Sequence, residues 1–421
     1  MTEQRDAGAP DRSGPLAGLL VADFSRILAG PYATMLLADL GAEVVKVESP
    51  AGDDTRSWVP PSRDGVSTYY LGVNRNKRSI ALDLGDPGDR VAAQELARRA
   101  DVVIENFKPG GLSRFGLDYD TVSAHNPGVV YASITGFGSG PGGRALPGYD
   151  LIVQAMSGLM SLTGDPDGSP YRAGISVFDV MAGLHATVGI LAALHARAEG
   201  DGRGQLVEVN LMSSALSGLV NQSSAYVAGG QVPFRMGNSH PSLFPYEPLP
   251  CSDGDLIVTA GNNGQFRKLV AVLGVPELAD DPRFAANEDR TANREQLRPL
   301  LVERLQTRTA MEWFREIIAA GVPCGPINTV DGGIAFAREI GLDPVVEVGS
   351  GEAMVPSVRN PITFSRTPAD YRLPPPAHDE HGEEIRRWLA EPDDGEGDGD
   401  GRGELARDHA GDGHTYRDGA A

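Results

Sequence analysis

The carboxylate with the greatest potential for chemistry is Asp179, in the segment AGISVFDVMAG at residues 173–183. Apolar residues flank it, and no lysine or arginine lies within six positions on either side. Burial in such a setting raises the pKa of a carboxyl group, whereas the positive end of a helix lowers it. From the residues alone two interpretations stay open, a helix N-cap and a desolvated nucleophile.

A helix is predicted from Val180 to about Ala198, so Asp179 is expected where this helix begins. Small residues recur on one face of the run, at Ala182, Ala186, Gly189 and Ala193. A helix face made of small side chains lets the backbone of another segment approach closely.

Several basic groups in the first half of the chain follow predicted strands, namely Arg56, Asn76-Lys77-Arg78, Lys108 and Arg114. Arginine and lysine in such loops suit an anionic ligand that carries phosphate, with solvated surface charge as the alternative. The segment ENFKPG at 105–110 places Phe107 beside Lys108. A purine would lie between Phe107, Lys108 and Arg114 by stacking and cation–π contact, unless Phe107 belongs to the core.

The elements that must position these groups alternate through the first half. Strands are predicted at 19–24, 43–48, 102–105, 129–134 and 205–210, with helices at 32–40, 90–99 and 119–125 between them. This order indicates a doubly wound parallel sheet, which binds ligands beyond the carboxyl ends of its strands. Glu48 ends the second strand where a ribose-binding acid would sit. The turn after Phe24 has only Gly30, however, which argues against a dinucleotide site.

The whole chain is predicted to be α/β, with a large doubly wound domain and a smaller α+β domain. Its predicted segments are a disordered N-terminus at 1–14, a large domain at 15–227, a small domain at 228–325, a return to the large domain at 326–390 and a disordered tail at 391–421.

Composition narrows the function classes. The net charge of −20 over 421 residues argues against nucleic acid as a partner. The longest apolar run, residues 183–196, is interrupted by two histidines and is shorter than a bilayer span, which argues against a membrane protein. The two cysteines fit neither a disulfide framework nor a short metal motif, so a reducing cytoplasm and no metal are expected.

Seven motifs in order resemble the family III CoA-transferases, a group that includes formyl-CoA transferase and carnitine CoA-transferase and has α-methylacyl-CoA racemase as a relative. They are ADFSRILAGPYATMLLADLGAEVVKVE, GDDTR, NRNKRSI, ENFKPGGLSRFG, GYDLIVQAMSGL, FDVMAG and GRGQLVEVNL. The resemblance covers about residues 15 to 390. It implies two subunits threaded through each other as interlocked rings.

The resemblance also implies site residues. The catalytic aspartate of the transferases precedes the helix followed by a G-[RK]-G-Q strand, and that position is Asp179 here. The implied coenzyme A contacts are Ile27, Leu28, Arg56, Arg78, Leu82, Asn106, Phe107, Lys108, Arg114 and Tyr149. Leu28 stands where formyl-CoA transferase has a glutamine, and the glycine-rich lid of that enzyme is missing. These departures argue against oxalate and formate as substrates.

The implied reaction moves CoA from an acyl-CoA to a carboxylic acid through covalent intermediates on Asp179, without a metal. Oxyanion donors are expected from the glycines at 136–143 and from backbone amides at the start of the following helix. An acyl-CoA racemase and a non-catalytic CoA-binding protein are the alternatives. The racemase carries a Gly-His-Asp motif where this chain reads Gly148-Tyr149-Asp150, and tyrosine is a poor base at neutral pH.

Overall fold

The computed structural model describes residues 14–351 and 354–392, so both predicted disordered ends lie almost wholly outside the described residues. The strands in this part of the chain are β1 (Leu20–Asp23), β2 (Glu43–Glu48), β3 (Ser62–Arg63), β4 (Val66–Ser67), β5 (Lys77–Ala81), β6 (Val102–Glu105), β7 (Val130–Thr135), β8 (Leu206–Asn210), β9 (Tyr246–Pro250), β10 (Asp255–Thr259), β11 (Cys324–Pro326), β12 (Val345–Val348) and β13 (Val355–Val358).

The helices of the same residues are α1 (Ala29–Asp39), α2 (Thr68–Leu71), α3 (Pro87–Arg99), α4 (Tyr119–His125), α5 (Asp150–Met156), α6 (Leu159–Leu162), α7 (Val177–Glu199), α8 (Leu211–Gly218), α9 (Val220–Val227), α10 (Asn263–Val272), α11 (Asn287–Ala292), α12 (Arg294–Leu305), α13 (Ala310–Ala319), α14 (Val330–Glu339) and α15 (Gly382–Ala390).

Six strands form one parallel sheet in the order β5-β2-β1-β6-β7-β8. The chain starts in the middle, winds outward to β5, and then returns to build the other half from β6. The order therefore reverses between β1 and β6, and the crevice outside the carboxyl ends of these two strands is where such sheets bind ligands. Residues 24–28 and 106–108 follow β1 and β6 at this edge.

Apolar cores cover both faces of the sheet, which confirms the doubly wound prediction. Helices α1 and α7 pack on one face, and α3, α4 and α15 pack on the other. Ile385 and Leu389 of α15 are buried there, so this helix packs against the large sheet.

A second core is built from residues 244–322, around the antiparallel sheet β11-β10-β9 and helices α10, α12 and α13. Its position agrees with the predicted small domain at 228–325. The outer bounds of that domain stay a prediction.

Three predictions about elements are wrong. Lys77 and Arg78 were expected in a loop, but they begin the edge strand β5. The sequence also predicts one long helix over residues 212–227, but the structure has two helices there, α8 and α9, which break at Leu219. Helix α7 begins at Val177 rather than Val180 and has 23 residues.

The length of α7 also removes the argument that this segment is too short for a bilayer. By length and composition α7 could cross a membrane. In this structure it is a core helix, with Ala182, Ala186 and Ala193 at most 1% exposed.

Candidate active site

Asp179 is the third residue of α7 and lies in its first turn rather than at its cap. Ser176 holds the N-cap position and makes no side-chain capping bond. The N-cap interpretation of Asp179 is therefore wrong. No donor among the described residues bonds to the Asp179 carboxylate. Burial and the nearby charge of Asp150 raise the pKa of Asp179 to about 7.

The amides that open α7 are capped from another helix. Asp150, the first residue of α5, accepts hydrogen bonds from the amides of Phe178 at 2.8 Å and Asp179 at 3.3 Å. The next amide, on Val180, bonds to the Ser176 carbonyl. Amides at the start of this helix were expected to stabilise an oxyanion, and these three weigh against that expectation because each already has an acceptor.

Two glycines place Asp150 at this position. A Cβ on Gly136, directly after β7, would come within 2.3 Å of the Gly148 Cα, so only glycine permits this contact between backbones. The contact ties the segment before α5 to the carboxyl end of β7, and Asp150 follows two residues later. The glycine-rich segment therefore contributes to the site by fixing the position of Asp150 through close contact between backbones.

A pocket of about 80 Å³ surrounds the Asp179 carboxylate at the carboxyl edge of the sheet. Its wall brings together parts of the chain that are distant in sequence, namely Ala29, Asn106, Phe107, Lys108, Pro109, Ile134, Thr135, Gly136, Leu146, Gly148, Asp179 and Leu211. Three of the predicted contact residues, Asn106, Phe107 and Lys108, thus lie beside the predicted catalytic residue.

A larger cleft of about 570 Å³ lies next to this pocket, and Phe107 lines both. The cleft combines the aromatic rings of Phe24, Phe107 and Phe115 with the guanidinium groups of Arg90 and Arg114. Leu82, another predicted contact, lies in its wall. Aromatic faces and arginines in one cleft suit a ligand that carries both a planar base and phosphate.

The other predicted contacts lie outside the walls of both pockets. Arg56 donates to Glu48, to Tyr70 and to the Pro376 carbonyl. Arg78 pairs with Glu43 and Glu384. Neither guanidinium is free for a phosphate, which weighs against these two assignments.

Ile27, Leu28 and Tyr149 sit close to the site without lining a pocket. Leu28 is buried in front of α1, and Tyr149 precedes α5 with 61% of its surface exposed. Their assignments as contacts remain predictions.

A buried ionic cluster supports the Ile27 loop. Ile27 has a positive φ of 71°, and its amide donates to the Asp53 carboxylate at 3.2 Å. Lys46 donates to the same carboxylate at 2.9 Å with both side chains buried. Burial by itself would raise the pKa of Asp53, but Lys46 and the Thr55 amide lower it to about 2. The buried ion pair between Lys46 and Asp53 therefore holds the Ile27 loop in place.

Sequence reasoning missed three residues near Asp179. Asp150 was noted only for its place in Gly148-Tyr149-Asp150. Gln154, fully buried, accepts from the Ala173 amide at 2.8 Å and donates to the Ile175 carbonyl at 3.1 Å. Burial raises the pKa of Tyr69, and the charges of Asp179 and Asp150 raise it further. The one signal in the sequence for these residues was the carboxamide of Gln154, four residues after Asp150, because residues at this spacing lie on the same face of a helix.

Within residues 14–351 and 354–392, no group of three or more His, Cys, Asp or Glu side chains is arranged to hold a metal ion.

The fold and the site together define an α/β protein with a carboxylate beside a cleft lined by aromatic rings and arginines. The family model of CoA-transferase family III matches residues 16–382. The chain belongs to this family, and it is a CoA-transferase.

Relatives support this membership over nearly the whole chain. The succinate–glutarate CoA-transferase of Agrobacterium fabrum is 43% identical over 89% of this chain and 96% of that protein. The acetyl-CoA:oxalate CoA-transferase of Acetobacter aceti is 40% identical over 90% of this chain and 97% of that protein. A crystal structure of a CAIB/BAIF family protein from Brucella suis is 43% identical, has a TM-score of 0.82, and covers 90% of this chain and 100% of that one.

Proposed function

We propose that this enzyme transfers CoA from an acyl-CoA thioester to a dicarboxylic acid through covalent intermediates on Asp179. The observation that carries the proposal is the place of Asp179. Its carboxylate lies in a small pocket that joins, at Phe107, a cleft lined by aromatic rings and arginines. A thioester in the small pocket would leave room for its nucleotide portion in the cleft.

The reaction begins when an oxygen of the Asp179 carboxylate attacks the thioester carbonyl carbon. The C–S bond breaks, CoA leaves as the thiolate, and a mixed anhydride forms. The thiolate then attacks the Asp179 carbonyl carbon, which releases the donor acid and leaves an aspartyl-CoA thioester. The acceptor carboxylate displaces this thiolate to form a second anhydride, and the thiolate takes the acceptor acyl group and frees Asp179.

Burial suits Asp179 to this role. A carboxylate with a pKa near 7 is a stronger nucleophile than an exposed one, and about half of it is ionised at pH 7. Gly136 and Gly148 in the pocket wall leave backbone close to the reacting carbon. Since no donor among the described residues bonds to the carboxylate, no such hydrogen bond has to be broken before it attacks.

The acceptor class is supported by the names of the two relatives, which refer to succinate, glutarate and oxalate. All three are dicarboxylic acids. Lys108, in the wall of the Asp179 pocket, could pair with the carboxylate that does not react. The relative named for oxalate weighs against the expectation that oxalate is not used.

We place the enzyme in the cytoplasm as a homodimer of interlocked subunits, with acyl-CoA as its co-substrate and no metal. Support for the dimer is the apolar surface that one chain leaves exposed along α9 and residues 232–234. Large exposed apolar patches mark sites of protein association.

The test is trapping of the covalent intermediate. Wild-type enzyme incubated with succinyl-CoA and hydroxylamine should carry a hydroxamate at residue 179, found by peptide mass spectrometry. Asp179→Ala should bind CoA normally and lose transfer to glutarate by at least about 10³-fold, because the nucleophile is gone.

The matched control is Asp167→Ala, since Asp167 is an exposed aspartate in the loop before α7. It should keep wild-type transfer and the hydroxamate at 179. Full transfer by Asp179→Ala would contradict the covalent mechanism. Equal rates with acetate and glutarate would contradict the dicarboxylate assignment alone.

A further inference from the structure

We infer that Asp150, held by Gln154, is a positioning residue for the nucleophile: it fixes the first turn of α7 and faces Asp179 with a like charge. The inference rests on the proposed role of Asp179. It assigns to Asp150 a function without contact to the substrate, since Asp150 does not line either pocket.

The contacts of Asp150 are directed at the backbone of the nucleophile. One carboxylate oxygen accepts from the amides of Phe178 and Asp179, so it is bonded to the catalytic residue itself. The other oxygen accepts a short hydrogen bond from Gln154. Asp150 is only 7% exposed and Gln154 is fully buried, so neither side chain has room to turn away.

Gln154 extends this hold to the segment before α7. Its carbonyl oxygen accepts from the Ala173 amide, and its amide group donates to the Ile175 carbonyl. The two side chains of α5 thus contact the chain at four places between residues 173 and 179. A displacement of α5 would move Asp179 with it.

The same arrangement governs how strongly Asp179 holds its proton. The free amides of a helix start would stabilise the ionised carboxylate, but here Asp150 takes two of them and adds a negative charge. The other titratable groups near the carboxylate are Tyr69 of α2 and Lys108 after β6. Helices α1 and α8 contribute Ala29 and Leu211 to the pocket, neither of which titrates.

The test separates the geometric role from the electrostatic one. Asp150→Asn keeps an oxygen that can accept from both amides, removes the charge and loses the acceptor of the Gln154 amide group. We expect the acid limb of its kcat/KM profile for acyl-CoA to move down by about one pH unit. Asp150→Ala removes the acceptor as well, and its kcat should fall by about 10–100-fold while KM for acyl-CoA changes less than about threefold.

The control is Thr309→Ala, which removes the side-chain cap of α13 in the second core and should leave both the rate and the pH profile unchanged. If Asp150→Ala fails to fold, Asp150→Asn still decides the inference. An acid limb in Asp150→Asn that coincides with that of the wild type overturns it. Absence of a hydroxamate at residue 179 in the wild type would instead overturn the proposed mechanism.

Discussion

The fold disfavours the ionised form of Asp179, and this residue therefore lowers the stability of the protein at neutral pH. Its pKa of about 7 lies well above the usual aspartate value of 3.8 because the group is largely buried and faces Asp150. The unfolded chain loses this proton near pH 4, whereas the folded protein keeps it to about pH 7. The contribution of Asp179 to stability therefore falls as the pH rises from about 4 to about 7, and stays at its lower value above that.

We predict that Asp179→Asn stabilises the protein at pH 8 and has a clearly smaller effect at pH 4.5, where the folded wild type still holds the proton. At pH 8 the wild type carries a poorly solvated charge that the variant lacks, and one pKa unit corresponds to about 1.4 kcal/mol. Allowing for partial screening by solvent, we expect a gain of about 2 kcal/mol in the free energy of unfolding. Urea unfolding at both pH values measures it.

Asp167→Asn, at the exposed aspartate, is the matched substitution for this measurement. It should give no difference from the wild type that depends on pH. An equal gain from Asp179→Asn at both pH values would show that packing, and not ionisation, explains its effect.

At the scale of elements, the site depends on how closely α7 approaches α1. A Cβ on Gly183 would lie 2.6 Å from the Ala29 carbonyl oxygen, so these two helices touch through backbone. Ala29 lines the Asp179 pocket, and the contact therefore fixes one wall of this pocket relative to α7. The small-residue face predicted for this helix is confirmed by the burial of Ala182, Ala186 and Ala193.

We predict that Gly183→Ala displaces α1 and impairs both stability and transfer. The added methyl group cannot fit without backbone movement, and overpacking of this kind costs about 1–3 kcal/mol. A fall of several degrees in melting temperature, together with a kcat lowered by at least about tenfold, should be measured by calorimetry and transfer assays.

Gly333→Ala is the control, because Gly333 is also helical but is exposed and has no atom within 4 Å of an added Cβ. Alanine there should be neutral or stabilising, since glycine inside a helix is unfavourable. A Gly183→Ala protein as stable and active as the wild type would contradict the close-contact argument.

For the whole molecule, the notable feature is apolar surface in a chain of high negative charge. Five large apolar residues from α9 to residue 234 are each at least 60% exposed, namely Val220, Tyr226, Val227, Val232 and Phe234. A net charge of −20 would keep single chains apart unless an apolar contact offsets the repulsion.

We predict a solution mass of twice the chain mass, measured by light scattering after gel filtration. Val227→Asp places a charge in the exposed patch and should weaken the dimer by at least about tenfold in Kd. Val91→Asp, on the exposed face of α3, is the matched control and should leave the dimer intact. A wild-type mass of one chain would contradict the proposed homodimer.

The sequence by itself determined the alternation of strands and helices and the doubly wound sheet, and it predicted Asp179 as the catalytic residue. Local patterns carry this information because periodicity, turn residues and short motifs depend on neighbours in the chain. The motif ENFKPG likewise predicted Phe107 and Lys108 at the site, and both line the Asp179 pocket.

Only the tertiary structure decided which side chains lie near Asp179 and hold it in position. Asp150 lies 29 positions away, and its capping of α7 depends on the contact between Gly136 and Gly148. Arg56 and Arg78 were assigned to a phosphate from their type, yet Glu48 and Glu43 occupy their guanidinium groups. A sequence pattern shows which side chains can bind a ligand or cap a helix. The partner that each side chain meets is fixed by packing between distant segments, because ionic and hydrogen-bonding groups pair with the groups that the fold brings within about 3 Å.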